Sequence, residues 1–396
     1  MQIKDIPVAS HEAVLAVTDA ASGLRGYIAV HSTSRGPAAG GLRMRAYVSD
    51  ADALADVLAL SRGMTLKTAA ADLPLGGGKA VIVGDPTAKT NGQLRAMGRA
   101  IHTLRGDYWT AEDMGMSPSD MAVIRGETPY VAGLADGPFA SGDPSPRTAR
   151  GVFYAMRVAA QHRFGTRDLT GRRVTIMGLG HVGWHLAKLL RAAGARLIVA
   201  DTDAARAEQA AWTFGAEVAA PSAIAVTPAE IFAPCAIGGI VTEQLAQDIP
   251  VAIVCGAANT QLASDVAGDI LHKRGILYAP DYVANGGGIV NVAAEILRIP
   301  DRMHFVTTRL EALEAMMDSI LTQAAREQVG PPQRARGPRR LISFLGWGNV
   351  HMRRGPKTLA LVAVTVGAIP HEGHFLDRHS LGGFVGFRAW PASQSH

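Results

Sequence analysis

An α/β fold in two domains is the architecture this sequence predicts, and three observations carry the prediction. From about residue 173 onward, short apolar runs of strand character alternate with helical stretches, the pattern of βαβ units in a parallel sheet. One such run, 173–177, passes into Gly178-Leu-Gly180-His-Val-Gly183 and then a helix, and the next run ends in Asp201. Before that half lies Ser141-Gly-Asp-Pro-Ser-Pro-Arg-Thr148, a Pro/Gly/Ser break with the composition of a linker. A chain of 396 residues has room for two domains, each with a substantial core. The expected division is an α/β domain over 1–145, a doubly wound domain over 146–327 and an atypical basic tail over 328–396.

In order, residues 14–18 and 26–31 alternate as strands around a turn at 19–23, a hairpin-like opening. Then Gly36-Pro-Ala-Ala39-Gly40-Gly41-Leu-Arg43 sets out consecutive glycines, whose N–H groups suit a carboxylate or simply make a turn. A helix is expected over 50–62 with Asp50 as N-cap, and another through Leu94, Met97, Ile101 and Leu104 at period 3.6. The apolar strand end Tyr108-Trp109 delivers Glu112 and Asp113, after which Ser117 and Pro118 start a helix as N-cap and first residue. Helices are expected over 151–162 and 184–193. The last element, 304–327, puts Leu310, Leu313, Met317, Ile320, Leu321 and Ala324 on one face, most simply as core.

Composition excludes several classes. No apolar run reaches the roughly 20 residues that a membrane helix needs. The first residues show no charged-then-apolar leader, so a cytoplasmic location is expected. Cys235 and Cys255 alone build neither a disulfide framework nor a zinc cluster, and no metal site is expected. The net charge of +5 is uneven: 328–396 hold nine of the 39 Lys/Arg and two of the 34 Asp/Glu, leaving the preceding residues net acidic. The main body therefore has no nucleic-acid footprint, and the tail lacks the interleaved aromatics such binding uses.

The strand–glycine–helix–acid context of Gly178, Gly180 and Gly183 is that of a dinucleotide site. The helix N-terminus takes the pyrophosphate and Asp201 the ribose hydroxyls. An acid at 201 favours NAD over NADP by repelling a 2′-phosphate, a group that Arg206 would instead suit. In the first half, chemistry gathers between Lys67 and Lys79. Two ammonium groups flank apolar and glycine residues, Asp72 is the only local countercharge, and Lys79 sits at the mouth of a strand over 80–83. A lysine walled by apolar groups near a second cation should have a lowered pKa, as a general base needs. The alternative is a glycine turn with two solvated lysines.

On these residues the chain resembles the Glu/Leu/Phe/Val amino-acid dehydrogenase family, nearest to its leucine, phenylalanine and valine branch. The matching stretches are 36–44, 60–86, 108–115, 141–148, 178–183, 233–239, 256–259 and 278–292, in order. The resemblance implies an N-terminal α/β substrate domain, a Rossmann-type NAD-binding domain and a homo-oligomer. It implies NAD-dependent, reversible deamination of an L-amino acid to a 2-oxo acid and ammonium. By the same resemblance Lys67, helped by Gly40 and Gly41, binds the substrate carboxylate, and Lys79 is the base that activates water for attack on an imine. Asp113 is then its partner in proton transfer, and Asn259 places substrate and nicotinamide. Thr148, Cys235 and Ala236 join the cofactor site on the same basis. In the side-chain pocket Ala111 and Val292 fit the leucine-type pattern, Ile289 is intermediate, and Ala39 is smaller than the leucine usual there. A branched-chain substrate is expected, with phenylalanine the alternative. Thr260 stands where the family usually has a second asparagine.

After Arg326 the resemblance ends. Residues 328–396 are rich in Gly, Pro, Arg and Trp without helical periodicity, as text read out of frame or a fused segment would be, and they are expected to be irregular and without catalytic residues. Two rival readings rest on this tail: a non-catalytic NAD-binding protein, and a nucleic-acid-binding module.

Overall fold

The computed structural model describes residues 1–331, so what is expected of the tail falls outside the described residues from 332 on. The first half holds strands β1 (Gln2–Asp5), β2 (Ala13–Asp19), β3 (Leu24–Ser32), β4 (Ala38–Ala39) and β5 (Leu42–Arg45), then helix α1 (Asp50–Ala70). It continues with β6 (Gly76–Val83), α2 (Asn91–His102), β7 (Tyr108–Trp109) and α3 (Pro118–Arg125). The sheet order is β1-β2-β3-β6-β4-β7, with β5 also on β6. The β1-to-β3 hairpins and the β3–β6 pair are antiparallel, whereas β4 and β5 run parallel to β6.

Alternation along β6 decides which face each residue meets. Ala80 and Ile82 pack with Leu24 and Ile28 of β3 against Leu94, Met97 and Ile101 of α2. Val81 turns the other way, to Val14, Ala29 and the α1 residues Ala53 and Val57. Lys79 shares that second parity and so lies on the α1 side.

Two local expectations differ from the structure. The sequence places Lys79 at the mouth of a strand over 80–83, with a glycine turn before it as the alternative, but β6 is unbroken from Gly76. A Cβ on Gly77 would lie 2.1 Å from the Thr65 nitrogen of α1, and one on Gly78 2.6 Å from the Tyr108 ring, so glycine serves close approach within a strand. Helix α1 also runs past residue 62 to Ala70, with Ser49 rather than Asp50 as the N-cap, because Leu60, Leu66 and Ala70 continue its buried face. Lys67 thereby sits in its last turn.

The second half holds α4 (Ser145–Phe164), β8 (Arg173–Met177), α5 (His181–Ala192), β9 (Arg196–Ala200), α6 (Ala204–Phe214), β10 (Glu217–Val218) and β11 (Ile231–Pro234). Then come α7 (Glu243–Asp248), β12 (Ile253–Val254), α8 (Asp265–Lys273), β13 (Leu277–Tyr278), α9 (Asp281–Ala284), α10 (Gly287–Ile296) and α11 (Arg302–Glu327). Its sheet is parallel throughout in the order β10-β9-β8-β11-β12-β13, a doubly wound arrangement whose strand order reverses between β8 and β11. Helix α11 buries all six residues of its expected stripe. The break at 141–148 is pinned rather than loose: Ser141 donates its N–H to Glu295 (2.9 Å), and Arg302 donates to the Ala140 carbonyl (3.0 Å). Helix α4 begins inside it, at Ser145.

Two histidines help seat α1 on the sheet. His31 Nδ1 is 2.8 Å from Thr65 Oγ1 and His11 Nε2 is 3.0 Å from Ser61 Oγ, with the two rings edge to face at 5.0 Å. Burial, then the nearby His11 and Arg62, pushes the His31 pKa from 6.5 down to about 4. Between those values the unfolded chain binds the proton and the folded chain does not. The His31 contribution to stability is therefore present above pH 6.5 and lost as pH falls toward 4. Calorimetry should show Tm dropping over that interval, and His31→Gln should make the drop shallower; an identical slope in the variant contradicts this.

Candidate active site

At the reversal of strand order the loops after β8 and β11 face each other. Gly178 follows β8 at φ 96°, where a non-glycine residue is strained, and a Cβ there would come within 2.7 Å of the Ala236 Cβ after β11. Gly183, in the first turn of α5, lies so close that a Cβ would be 2.0 Å from the Gly178 carbonyl oxygen. Gly180 caps α5 with open space on the side a Cβ would fill. Two glycines thus close the turn and the third leaves room for a phosphate at the helix N-terminus, so these residues fit a dinucleotide. Asp201, after β9, accepts the Leu179 N–H at 2.6 Å and the Asp203 N–H at 2.9 Å, so its carboxylate braces the glycine turn. Arg206 turns to Asp203 at 3.6 Å. Cys235 ties β11 to β8 through its N–H on the Met177 carbonyl (2.8 Å), and burial pushes its thiol up to about 12, which leaves it a neutral wall.

A cavity of about 250 Å³ lies between the C-terminal edge of this sheet and the first half. Gly40, Gly41, Lys67, Lys79, Ala111, Asp113, Thr148, Asn259, Ile289 and Val292 all line it. Ala39 does not: it is fully buried in β4, between β6 and β7. Glycine at 40 and 41 is dictated by crowding, since a Cβ would lie 1.9 Å from the Gly78 oxygen or 2.6 Å from the Glu112 oxygen. The Gly40 N–H is already donated to the Trp109 carbonyl (3.1 Å), contrary to its expected freedom for a carboxylate.

Lys79 is 5% exposed and its Nζ lies 2.9 Å from Asp113 Oδ2. The same oxygen accepts Arg43 Nε at 3.0 Å, and Arg43 is held in turn by Asp56 (3.0 Å), which also accepts the Tyr47 hydroxyl (2.7 Å). Burial is the main force on Lys79 and lowers its pKa; Asp113 opposes this and Arg43 adds to it. For Asp113, burial pushes the other way, but the Lys79 and Arg43 charges outweigh it and hold the carboxyl well below its usual range. The second cation expected near Lys79 is therefore Arg43, on β5. The expected countercharge Asp72 is turned away, paired with Arg35 (2.9 Å) and Arg309 (2.8 Å).

Lys67 reaches across the cleft, its Nζ donating to Asn259 Oδ1 at 2.9 Å. Asn285 donates to the same oxygen at 2.9 Å, while its own Oδ1 is buried with no hydrogen-bond partner among the described residues, an acceptor that a ligand's N–H would satisfy. Arg43, Asp56, Tyr47 and Asn285 are the residues sequence reading missed. The one usable signal was Asn285 at a strand end, among small residues. No group of His, Cys, Asp and Glu suited to a metal occurs among the described residues.

Beside Asn259, Thr260 has φ 52°, a left-handed backbone that a β-branched residue resists. Thr260→Asn should stabilise the fold by about 1 kcal/mol, read as a rise in denaturant midpoint; a fall would mean the hydroxyl carries an overriding contact.

The family model for "Glu/Leu/Phe/Val dehydrogenase, dimerisation domain" matches residues 11–130, and that for "Glutamate/Leucine/Phenylalanine/Valine dehydrogenase" matches 202–336, past Arg326. A third, "D-isomer specific 2-hydroxyacid dehydrogenase, NAD binding domain", matches 147–227. The leucine dehydrogenase of Geobacillus stearothermophilus is 42% identical over 341 residues, 83% of this chain and 93% of its own. That of Thermoactinomyces intermedius is 46% identical over 288 residues, 72% of this chain and 79% of its own. The crystal structure of L-tryptophan dehydrogenase from Nostoc punctiforme superimposes with a TM-score of 0.70 at 36% identity, covering 86% of this chain and 97% of that one.

Proposed function

We propose, from the premise that this chain belongs to the Glu/Leu/Phe/Val dehydrogenase family, a division of labour among the residues of its cleft. The chain is an NAD-dependent amino-acid dehydrogenase acting on CH–NH2 donors. Its reaction is the reversible oxidative deamination of a branched-chain L-amino acid, giving the 2-oxo acid and ammonium. The observation that carries the assignment of roles is the Lys79–Asp113 pair, 2.9 Å apart and buried in a cavity that also holds Lys67 and Asn259.

Lys67 and Asn259 take the substrate carboxylate, drawing it between the two halves. Ala111, Ile289 and Val292 receive the aliphatic side chain; all three are small or branched apolar residues, each less than a tenth exposed. Gly178, Gly180, Gly183 and Asp201 hold NAD, with Thr148, Cys235 and Ala236 around it. NAD bound there would supply the acceptor for the hydride of the substrate Cα, so that the amine would become an imine. Lys79 in its neutral form takes a proton from the water that attacks the imine carbon. Asp113, held as the carboxylate, keeps that amine in line and relays toward the departing nitrogen the proton that Lys79 took from the water, so that nitrogen leaves in protonated form. The lowered Lys79 pKa makes the neutral form accessible, and the Asp113 charge stabilises the ammonium that forms on Lys79.

The domain limits 1–145 and 146–327 belong to the same proposal, since α4 begins at Ser145 and separates the two sheets. So does a homo-oligomer, which the dimerisation-domain match over 11–130 supports. Among the described residues no helix is long and apolar enough to cross a membrane. Two free cysteines suit the reducing cytoplasm proposed for it.

NADH formation from leucine, valine and isoleucine reports on these roles. Lys79→Ala should lower kcat by about 10²–10⁴-fold with NAD affinity retained, whereas Lys67→Ala should act mainly by raising the amino-acid KM. Near-full turnover in Lys79→Ala would falsify the assignment. The unmodified enzyme should prefer NAD to NADP, and Asp201→Ser should narrow the preference; equal use of both cofactors before mutation contradicts the role given to Asp201.

A further inference from the structure

Arg43 lies outside the group that touches substrate or cofactor, yet more of its surroundings are committed to one purpose than those of any lysine nearby. It is 8% exposed. On one side its Nη1 is fixed by Asp56 of α1, which the Tyr47 hydroxyl also holds; on the other its Nε meets Asp113 Oδ2. Lys79 meets that same oxygen, so both cations lie on Oδ2 rather than Oδ1. Asp113 lines the cavity, so Oδ1 is the oxygen left for the reacting amine.

We propose that Arg43 is a positioning residue for the reaction: by pinning Oδ2 it fixes which Asp113 oxygen faces the substrate, and by its charge it sets the pH at which Lys79 becomes a base. This rests on the roles given above to Lys79 and Asp113. The ionisable groups around the pair are Arg43 from β5, Asp56 and Lys67 from α1, Tyr47, Tyr108 from β7 and Glu112 beside Asp113. Of the two cations, Arg43 contacts the Lys79 partner directly, and it is anchored by a carboxylate that does not face the cavity. Lys67 is engaged with Asn259 on the far side of the cleft.

Removing a neighbouring cation favours the ammonium form of Lys79, so its pKa must rise and the base must be reached at higher pH. Arg43→Gln alone would leave the half-buried Asp56 without its cation, so the decisive variant is Arg43→Gln with Asp56→Asn. Its kcat for leucine oxidation should fall on the order of 100-fold, as loss of alignment produces. Asp56 raises the Lys79 pKa by less than Arg43 lowers it, so with both removed the acid limb of the kcat/KM profile should still move to higher pH. The leucine KM should hold, because Lys67 and Asn259 are untouched. Arg43→Lys keeps a cation between Asp56 and Asp113; its limb should stay near the original pH while kcat still drops, because an ammonium cannot span both carboxylates as the guanidinium does. A double variant with the original kcat and limb, or an Arg43→Lys variant with undiminished kcat, overturns the proposal. Turnover that survives Lys79→Ala would instead overturn the reading on which it rests.

Discussion

One carboxylate oxygen organises the first half of this protein. Asp113 Oδ2 lies 2.9 Å from the Lys79 ammonium and 3.0 Å from the Arg43 guanidinium, in a site where water screens little. Burying three charges is costly unless each is paired, and here every one is, with Asp56 closing the account for Arg43. Strands β5 and β6 and the segment after β7 must therefore converge, and the glycines at 40, 41, 77 and 78 are what let their backbones come close enough. The same constraint fixes α1, whose Thr65 fills the space above Gly77 and whose last turn then carries Lys67 to the cleft.

The second half supplies the opposing wall by a different device. Its strand order reverses between β8 and β11, so the loops that follow them splay into a crevice. Asn259 follows β12 and Asn285 follows α9 after β13, and the Lys67–Asn259 hydrogen bond joins the two halves over the cavity.

Legibility in the sequence followed how local each cause is. The glycine turn at 178–183, the cap at Ser117 and the apolar stripe of α11 depend on neighbours within a few turns of chain, and they stand where the residues place them. Gly76–Gly78 misled because glycine is poor strand material by itself; its reason is Thr65 and Tyr108, contacts that no window around residue 77 contains. Asp72 is the one acid between the two lysines in sequence, but a left-handed backbone (φ 48°) sends it to Arg35 and Arg309 instead. The Arg43–Asp113 contact spans 70 residues and Lys67–Asn259 spans 192. The strand end at Tyr108-Trp109 could therefore mark Asp113 as a candidate, but only the family resemblance gave it and Asn259 their partners, and it said nothing of Arg43.

The central claim is that burial beside Arg43 makes Lys79 easier to deprotonate than an ordinary lysine despite its ion pair with Asp113. The most direct measurement is an NMR titration of the Nζ of Lys79 in lysine-labelled protein, the signal being the one that disappears in Lys79→Ala. This account predicts a midpoint below the ordinary lysine value of 10.5. A midpoint at or above that value would mean that Asp113 dominates, and that Lys79 stays a fixed cation rather than the base.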